Sequence, residues 1–94
     1  MALWSLFVEV GTKRYSTQTH AASAKAAVGQ FLKSSLPQFL KMPEFHNWPE
    51  SFSTKDIVLF TAMDGLTNMY LCQIGREGKY ISVTLARTVS RQQT

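Results

Sequence analysis

Cysteine is almost missing: the 94 residues hold one, Cys72. A single thiol closes no internal disulfide and builds no cysteine-based zinc site, which excludes a stapled secreted scaffold. Charge is also scarce, at 17% of residues, with six acidic side chains against ten basic ones. No apolar run reaches the roughly 18 residues that a membrane-spanning helix needs. The first residues, Met1-Ala2-Leu3-Trp4-Ser5-Leu6-Phe7-Val8-Glu9-Val10, carry no basic leader and no cleavage site, so they read as structure and not as a signal peptide. The expectation is a cytoplasmic protein with no membrane partner. Catalytic signatures are missing too: there is no G-x-S-x-G elbow, phosphate-binding loop, dinucleotide fingerprint or H-E-x-x-H pair. Internal repeats, low-complexity tracts and a second domain are not found either.

What is present is an ordinary globular composition, 45% hydrophobic with a net charge of +4. It predicts one α+β domain over 1–89 and a polar, frayed tail over 90–94. Trp4, Leu6, Val8 and Val10 form an apolar row at period two, while the alternate row Leu3, Ser5, Phe7 and Glu9 is mixed. That pattern is a strand with one fully buried face and a second face partly covered. Gly11-Thr12 suits a tight hairpin into a second strand, Lys13 to about Ala22, whose polar, threonine-rich character belongs at a sheet edge. Ser23 is an N-cap candidate, and Ala24, Ala27, Val28, Phe31, Leu32 and Ser35 line one stripe of an amphipathic helix. Pro37 predicts that this helix ends or kinks near Leu36. Further on, Ile57 to Met63, Thr67 to Ile74 and Lys79 to about Val89 read as a meander, with a hairpin at Asp64-Gly65 and a four-residue turn at Gly75-Arg76-Glu77-Gly78.

The order is therefore ββ-α-βββ: an antiparallel sheet of about five strands with one helix on one face. Five strands span about 24 Å, and one helix about 10–12 Å across covers roughly half of that. Strands 3–10 and 57–63 are apolar on both sides, which predicts central positions with both faces buried. Strand 57–63 and strand 79–89 both remain candidates to flank the first strand. Two things are available to cover the remaining surface: the aromatic, proline-punctuated segment 37–53, and a second copy of the chain in a two-fold dimer.

Chemistry is thinly spread. Cys72 sits in mid-strand with no base placed near it, as a small buried hydrophobe would. His20 precedes the helix, a position suited to a structural or hydrogen-bonding role. His46 stands near Glu44 and Glu50, too few ligands for a metal centre. No catalytic residue, metal or cofactor is expected.

The favoured reading is a small, homodimeric, non-catalytic interaction module. It would use Phe39, Met42, Phe45, His46, Trp48 and Phe52 of segment 37–53 as an interface, since such residues are enriched at interface cores. The same residues could instead roof a small-molecule pocket against the sheet, or simply cap the chain's own core. A further alternative is nucleic-acid binding through basic hairpin tips. Net charge by segment is +4 over 1–43, −3 over 44–64 and +3 over 65–94. Lys13, Arg14, Arg76 and Lys79 could form one basic edge, with Tyr15, Tyr70 and Tyr80 available to stack on bases. The run Gly78-Lys79-Tyr80-Ile81-Ser82-Val83 resembles one strand of the RNA-recognition motif in part, but its second glycine-aromatic unit is missing and the element order differs. No family is identified from the sequence.

Overall fold

The computed structural model describes residues 1–88; the predicted tail 90–94 and the last predicted strand residue, Val89, lie outside them. Strands β1 (Ala2–Val10), β2 (Lys13–Ala21), β3 (Ile57–Ala62), β4 (Met69–Arg76) and β5 (Lys79–Thr88) form one sheet in the order β2-β1-β5-β4-β3. Every neighbouring pair is antiparallel. A helix, α1, runs over 24–39 between β2 and β3, so the fold is α+β with the predicted element order.

The period-two row of β1 is the centre of the core. Trp4, Leu6, Val8 and Val10 are buried with Ile81, Val83 and Leu85 of β5 and Cys72 and Ile74 of β4. The stripe on α1 lies over them: Ala24, Ala27, Val28, Phe31, Leu32 and Leu36 are all buried. Burying so many aliphatic and aromatic side chains, each worth roughly 1.5–3 kcal/mol, is what holds helix to sheet. Ser23 caps the helix as its position suggests, its Oγ accepting from the Ala26 N–H at 3.1 Å.

The helix does not stop at Leu36. It passes through Pro37 to Phe39 because Phe31–Ser35 forms a wider π turn, in which the Leu36 N–H donates five residues back to the Phe31 carbonyl. An interior proline clashes with the carbonyl four residues before it. The extra residue in the turn shifts that carbonyl aside, and regular α-helix resumes with Pro37 in its first turn, where its missing N–H costs least.

Other details depart from expectation. β3 lies at the edge of the sheet, not its centre, and β5 is the strand that flanks β1. Apolar side chains on both sides of β3 are therefore partly exposed, with Val58 at 62% and Leu59 at 39%. β1 is flanked on both sides, but only one of its faces is covered: Phe7, on the other, is 51% exposed. The turn between β4 and β5 has two residues, Glu77 and Gly78, both at positive φ (55° and 77°), with Arg76 paired to Lys79. That is the mirror-image turn whose twist matches a hairpin. Asp64-Gly65 belongs to a longer loop, where the Leu66 N–H closes onto the Met63 carbonyl around Gly65 at φ 74°.

Candidate functional site

Segment 37–53 packs on its own sheet. A 3₁₀ turn at Pro43–Phe45 follows the helix, and a second at Thr54–Asp56 leads into β3. Phe45 and Phe52 are buried core residues; Phe39, Met42 and Trp48 are partly buried against them. An aromatic chain runs from Tyr15 through Phe39 (centroids 4.1 Å apart) and Phe45 (5.2 Å) to Trp48 (5.4 Å). Trp48 also lies 5.8 Å from the Lys79 ammonium, and the Arg76 guanidinium lies 5.7 Å from the Phe52 ring. His46 is exposed, with Nδ1 3.3 Å from the Pro43 carbonyl oxygen. A concavity of about 550 Å³ does exist here, but Pro37, Leu40, Lys41, Phe45, His46 and Trp48 line it with Glu50 and Ser51. None of these is a strand residue, so the hollow is not between segment and sheet, where the two are packed together.

The basic residues are brought to one end of the sheet, since the β1–β2 and β4–β5 hairpins both close there, with Val10 paired to Lys13 and to Ile81. Three of the four are ion-paired, and Lys79 lies over the Trp48 ring. Lys13 pairs with Glu44 at 3.1 Å, Arg14 with Glu9 at 3.0 Å, and Arg76 with Asp56 at 3.8 Å and Glu77 at 3.3 Å. The Glu44 carboxyl is held below its usual range by a backbone hydrogen bond and by Lys13. Tyr15 and Tyr70 are half-buried on the helix side; Tyr80 alone of the three is exposed, at 65%.

Cys72 is fully buried, and burial pushes its thiol up to about 11, so it stays protonated and unreactive at neutral pH. Among the described residues no three His, Cys, Asp or Glu side chains converge as a metal site, and no buried side-chain polar atom lacks a hydrogen-bond partner. No helix among them is long and apolar enough to cross a membrane.

What remains uncovered is the other face of the sheet. Strand alternation and register assign to it Leu3, Ser5, Phe7 and Glu9 of β1, Ser16 and Gln18 of β2, Tyr80, Ser82, Thr84 and Ala86 of β5, Leu71 and Gln73 of β4, and Leu59 and Thr61 of β3. One cross-strand row, Ser16–Phe7–Thr84–Leu71–Thr61, spans all five strands. Among the described residues, its acidic, arginine and histidine side chains are confined to the β1–β2 side: Glu9 and Arg14, which pair with each other, and His20. Of the six exposed large hydrophobics among the described residues, Phe7, Leu59 and Tyr80 are on this face. A shallow hollow of about 430 Å³ borders Phe7, Glu9, Arg14, Ser16 and Thr84. Tyr80 lies flat over Gly75, where a Cβ would come within 2.5 Å of its ring. Phe7, Leu71 and Thr84 are absent from the residues that sequence reasoning selects. The signal for them was the low charge of the alternate rows of β1 and β5, which needs the register to become a surface. No family model, curated protein or solved structure matches the chain.

Proposed function

We propose that the protein is a non-catalytic interaction module that forms a homodimer through the open face of its sheet. One observation carries this reading: a face five strands wide whose centre, Phe7–Thr84–Leu71, holds no charge, in a molecule of net charge +4. Water-facing sheets normally carry charged and polar side chains on alternate residues, whereas depletion of charge with retention of aromatics marks interface cores. The partner is a second copy for two reasons. Among the described residues the opposite charges on the face, Glu9 and Arg14, already pair with each other, so two copies meet without like-charge repulsion. The face, about 24 Å wide and about 20 Å along the strands, offers on the order of 600–800 Å² per copy with its side-chain relief, and doubling that reaches a standard stable interface. Packing sheet on sheet at about 10 Å would bury Phe7, Leu71 and Tyr80 as a domain core does.

This reading places the contact on the open face in preference to 37–53, because Phe45 and Phe52 already serve the chain's own core. The hollow beside His46 and Trp48 and the basic end of the sheet carry the small-molecule and nucleic-acid alternatives less well: the first has no strand contribution, and three of the four bases of the second are paired with Glu44, Glu9, Asp56 and Glu77.

Sedimentation tests it. At about 10–50 μM, a range suited to standard-size interfaces, the protein is expected at twice the chain mass. Phe7→Asp, half-exposed and outside the core, should return it to a monomer with unchanged circular dichroism. A wild-type monomer throughout that range, or a Phe7→Asp protein that stays dimeric, contradicts the reading.

A further inference from the structure

The two edges of the sheet are built differently. β2 carries Lys13, Arg14 and His20, and its helix side is tied to α1 by the Tyr15 hydroxyl on Ser35 and the Thr19 hydroxyl on Gln30. These are the usual defences of an edge. β3 reads Ile-Val-Leu-Phe-Thr-Ala, with no charge and no proline, and its only irregularity is a bulge at Val58. Its outward backbone can be derived. The Met63 N–H donates to the Met69 carbonyl at 3.0 Å, which makes 63 and 69 a hydrogen-bonded pair. Antiparallel alternation then turns Leu59 and Thr61 towards β4 and leaves the N–H and C=O groups of Phe60 and Ala62 pointing away from the sheet. One of these outward groups, the Ala62 carbonyl, accepts from Thr61 Oγ1 at 3.2 Å.

We propose that this edge pairs with β3 of a second copy, antiparallel about a two-fold axis at Thr61, so that Phe60 of each copy lies opposite Ala62 of the other. The bulge at Val58 limits the regular edge to 59–62, and Thr61 is where that short stretch, continued to Met63, is centred. Charge selects the orientation and the occupant. Lys55 precedes the strand and Asp64 follows it; both are exposed, and neither is in an ion pair among the described residues. Antiparallel self-pairing brings Lys55 of each copy to the end that carries Asp64 of the other, twice over, whereas parallel pairing would set like charges side by side. A two-fold contact of this kind also closes on itself. Both unguarded edges are covered at once and the remaining ends of the ten-stranded sheet are the defended β2 strands, so pairing does not propagate.

This contact uses a surface separate from the open face, and it is tested in a protein whose face contact is removed. Phe7→Asp protein should show monomer–dimer self-association at about 0.1–1 mM, the weak regime of interfaces below about 1,200 Å². Adding Ala62→Pro removes only an outward N–H and leaves Thr61 in the extended conformation that precedes proline. It should weaken the association at least about tenfold, the loss of one to two hydrogen bonds. Lys55→Asp should weaken it as well, and Lys55→Asp with Asp64→Lys in the same chain should restore it. A Phe7→Asp protein that is monomeric up to 1 mM, or a dimer indifferent to Ala62→Pro, overturns the proposal. So does a monomer whose Phe60 and Ala62 amides are slowed in hydrogen exchange only by a synthetic peptide of β4, residues 69–76, since that result would assign the edge to a foreign strand. A wild-type protein that self-associates only through an Ala62→Pro-sensitive contact would remove the face dimer and leave this one standing.

Discussion

At the residue scale, burial sets the chemistry of the few reactive groups. Cys72, at 0% exposure among Val83, Ile74 and their neighbours, has a thiol raised to about 11 from an ordinary value of 9.0. A raised folded-state pKa means that the unfolded chain loses its proton first, so stability is intact below about pH 9 and falls as pH rises from there towards 11. Chemical denaturation at pH 8 to 11 should show this fall, and Cys72→Ala should flatten it over that window. Tyr15, raised by burial and lowered in part by Ser35, adds a further loss beginning near pH 10. The same burial makes the native thiol silent: a disulfide reagent is expected to label Cys72 only at the rate of unfolding, and fast labelling at pH 7.5 would refute its enclosure. Phe45 is the residue by which segment 37–53 grips the sheet, buried between Phe39 and Trp48. Phe45→Ala should cost about 3–5 kcal/mol by denaturant titration, whereas Trp48→Ala, half-exposed, should cost less and leave the chain folded.

At the scale of elements, sequence pattern and structure agree where one local rule decides. The buried row of β1, the Ser23 cap, the stripe from Ala24 to Leu32 and the Gly11-Thr12 hairpin follow from periodicity and turn chemistry, each written in adjacent residues. Disagreement arises where two rules compete. Pro37 stops a regular helix, and the π turn of Phe31–Ser35, which has no sequence signature of its own, lets it continue. Gly75 looks like a turn residue, yet it sits in β4 with the Tyr80 ring across it, and the turn is made by Glu77 and Gly78. Glu77 at φ 55° carries a strain that asparagine or glycine does not, so Glu77→Gly should stabilise or be neutral by up to about 1 kcal/mol, and Gly78→Ala should destabilise by about 1 kcal/mol. Thermal denaturation distinguishes these signs. The central position expected for β3 fails for a related reason. Apolar residues on both sides of Ile57–Ala62 signify burial, but within one chain the strand is an edge, and only its place in the order β2-β1-β5-β4-β3 shows which surfaces go unburied. The candidate surface was for that reason the least legible part: Phe7, Thr84 and Leu71 are separated along the chain by dozens of residues and become neighbours only through the β1–β5 and β5–β4 registers.

At the scale of the whole molecule, the helix and segment 37–53 close one face of the sheet and nothing in the described chain closes the other. The hydrophobic content, larger than one helix covers, is thereby divided. Most of it lies in a single core, and the residue is on the open face and the β3 edge. At the sheet end where the basic edge is expected, three of its four bases are ion-paired, through Lys13–Glu44, Arg14–Glu9 and Arg76–Asp56. Raising ionic strength, which screens exposed ion pairs, should leave dimerisation through a face whose centre is uncharged nearly unchanged, with a shift in the dissociation constant of less than about threefold between 0.05 and 0.5 M salt.

The most direct test is an isotope-filtered nuclear Overhauser experiment on an equimolar mixture of labelled and unlabelled protein, which detects only contacts between copies. Cross-peaks from the Phe7 ring to the Leu71 methyls and the Thr84 methyl of the other copy are predicted. Intermolecular cross-peaks confined to Phe39, Met42 and Trp48, or none at all at a concentration where the mass is doubled, would contradict a dimer built on the open face.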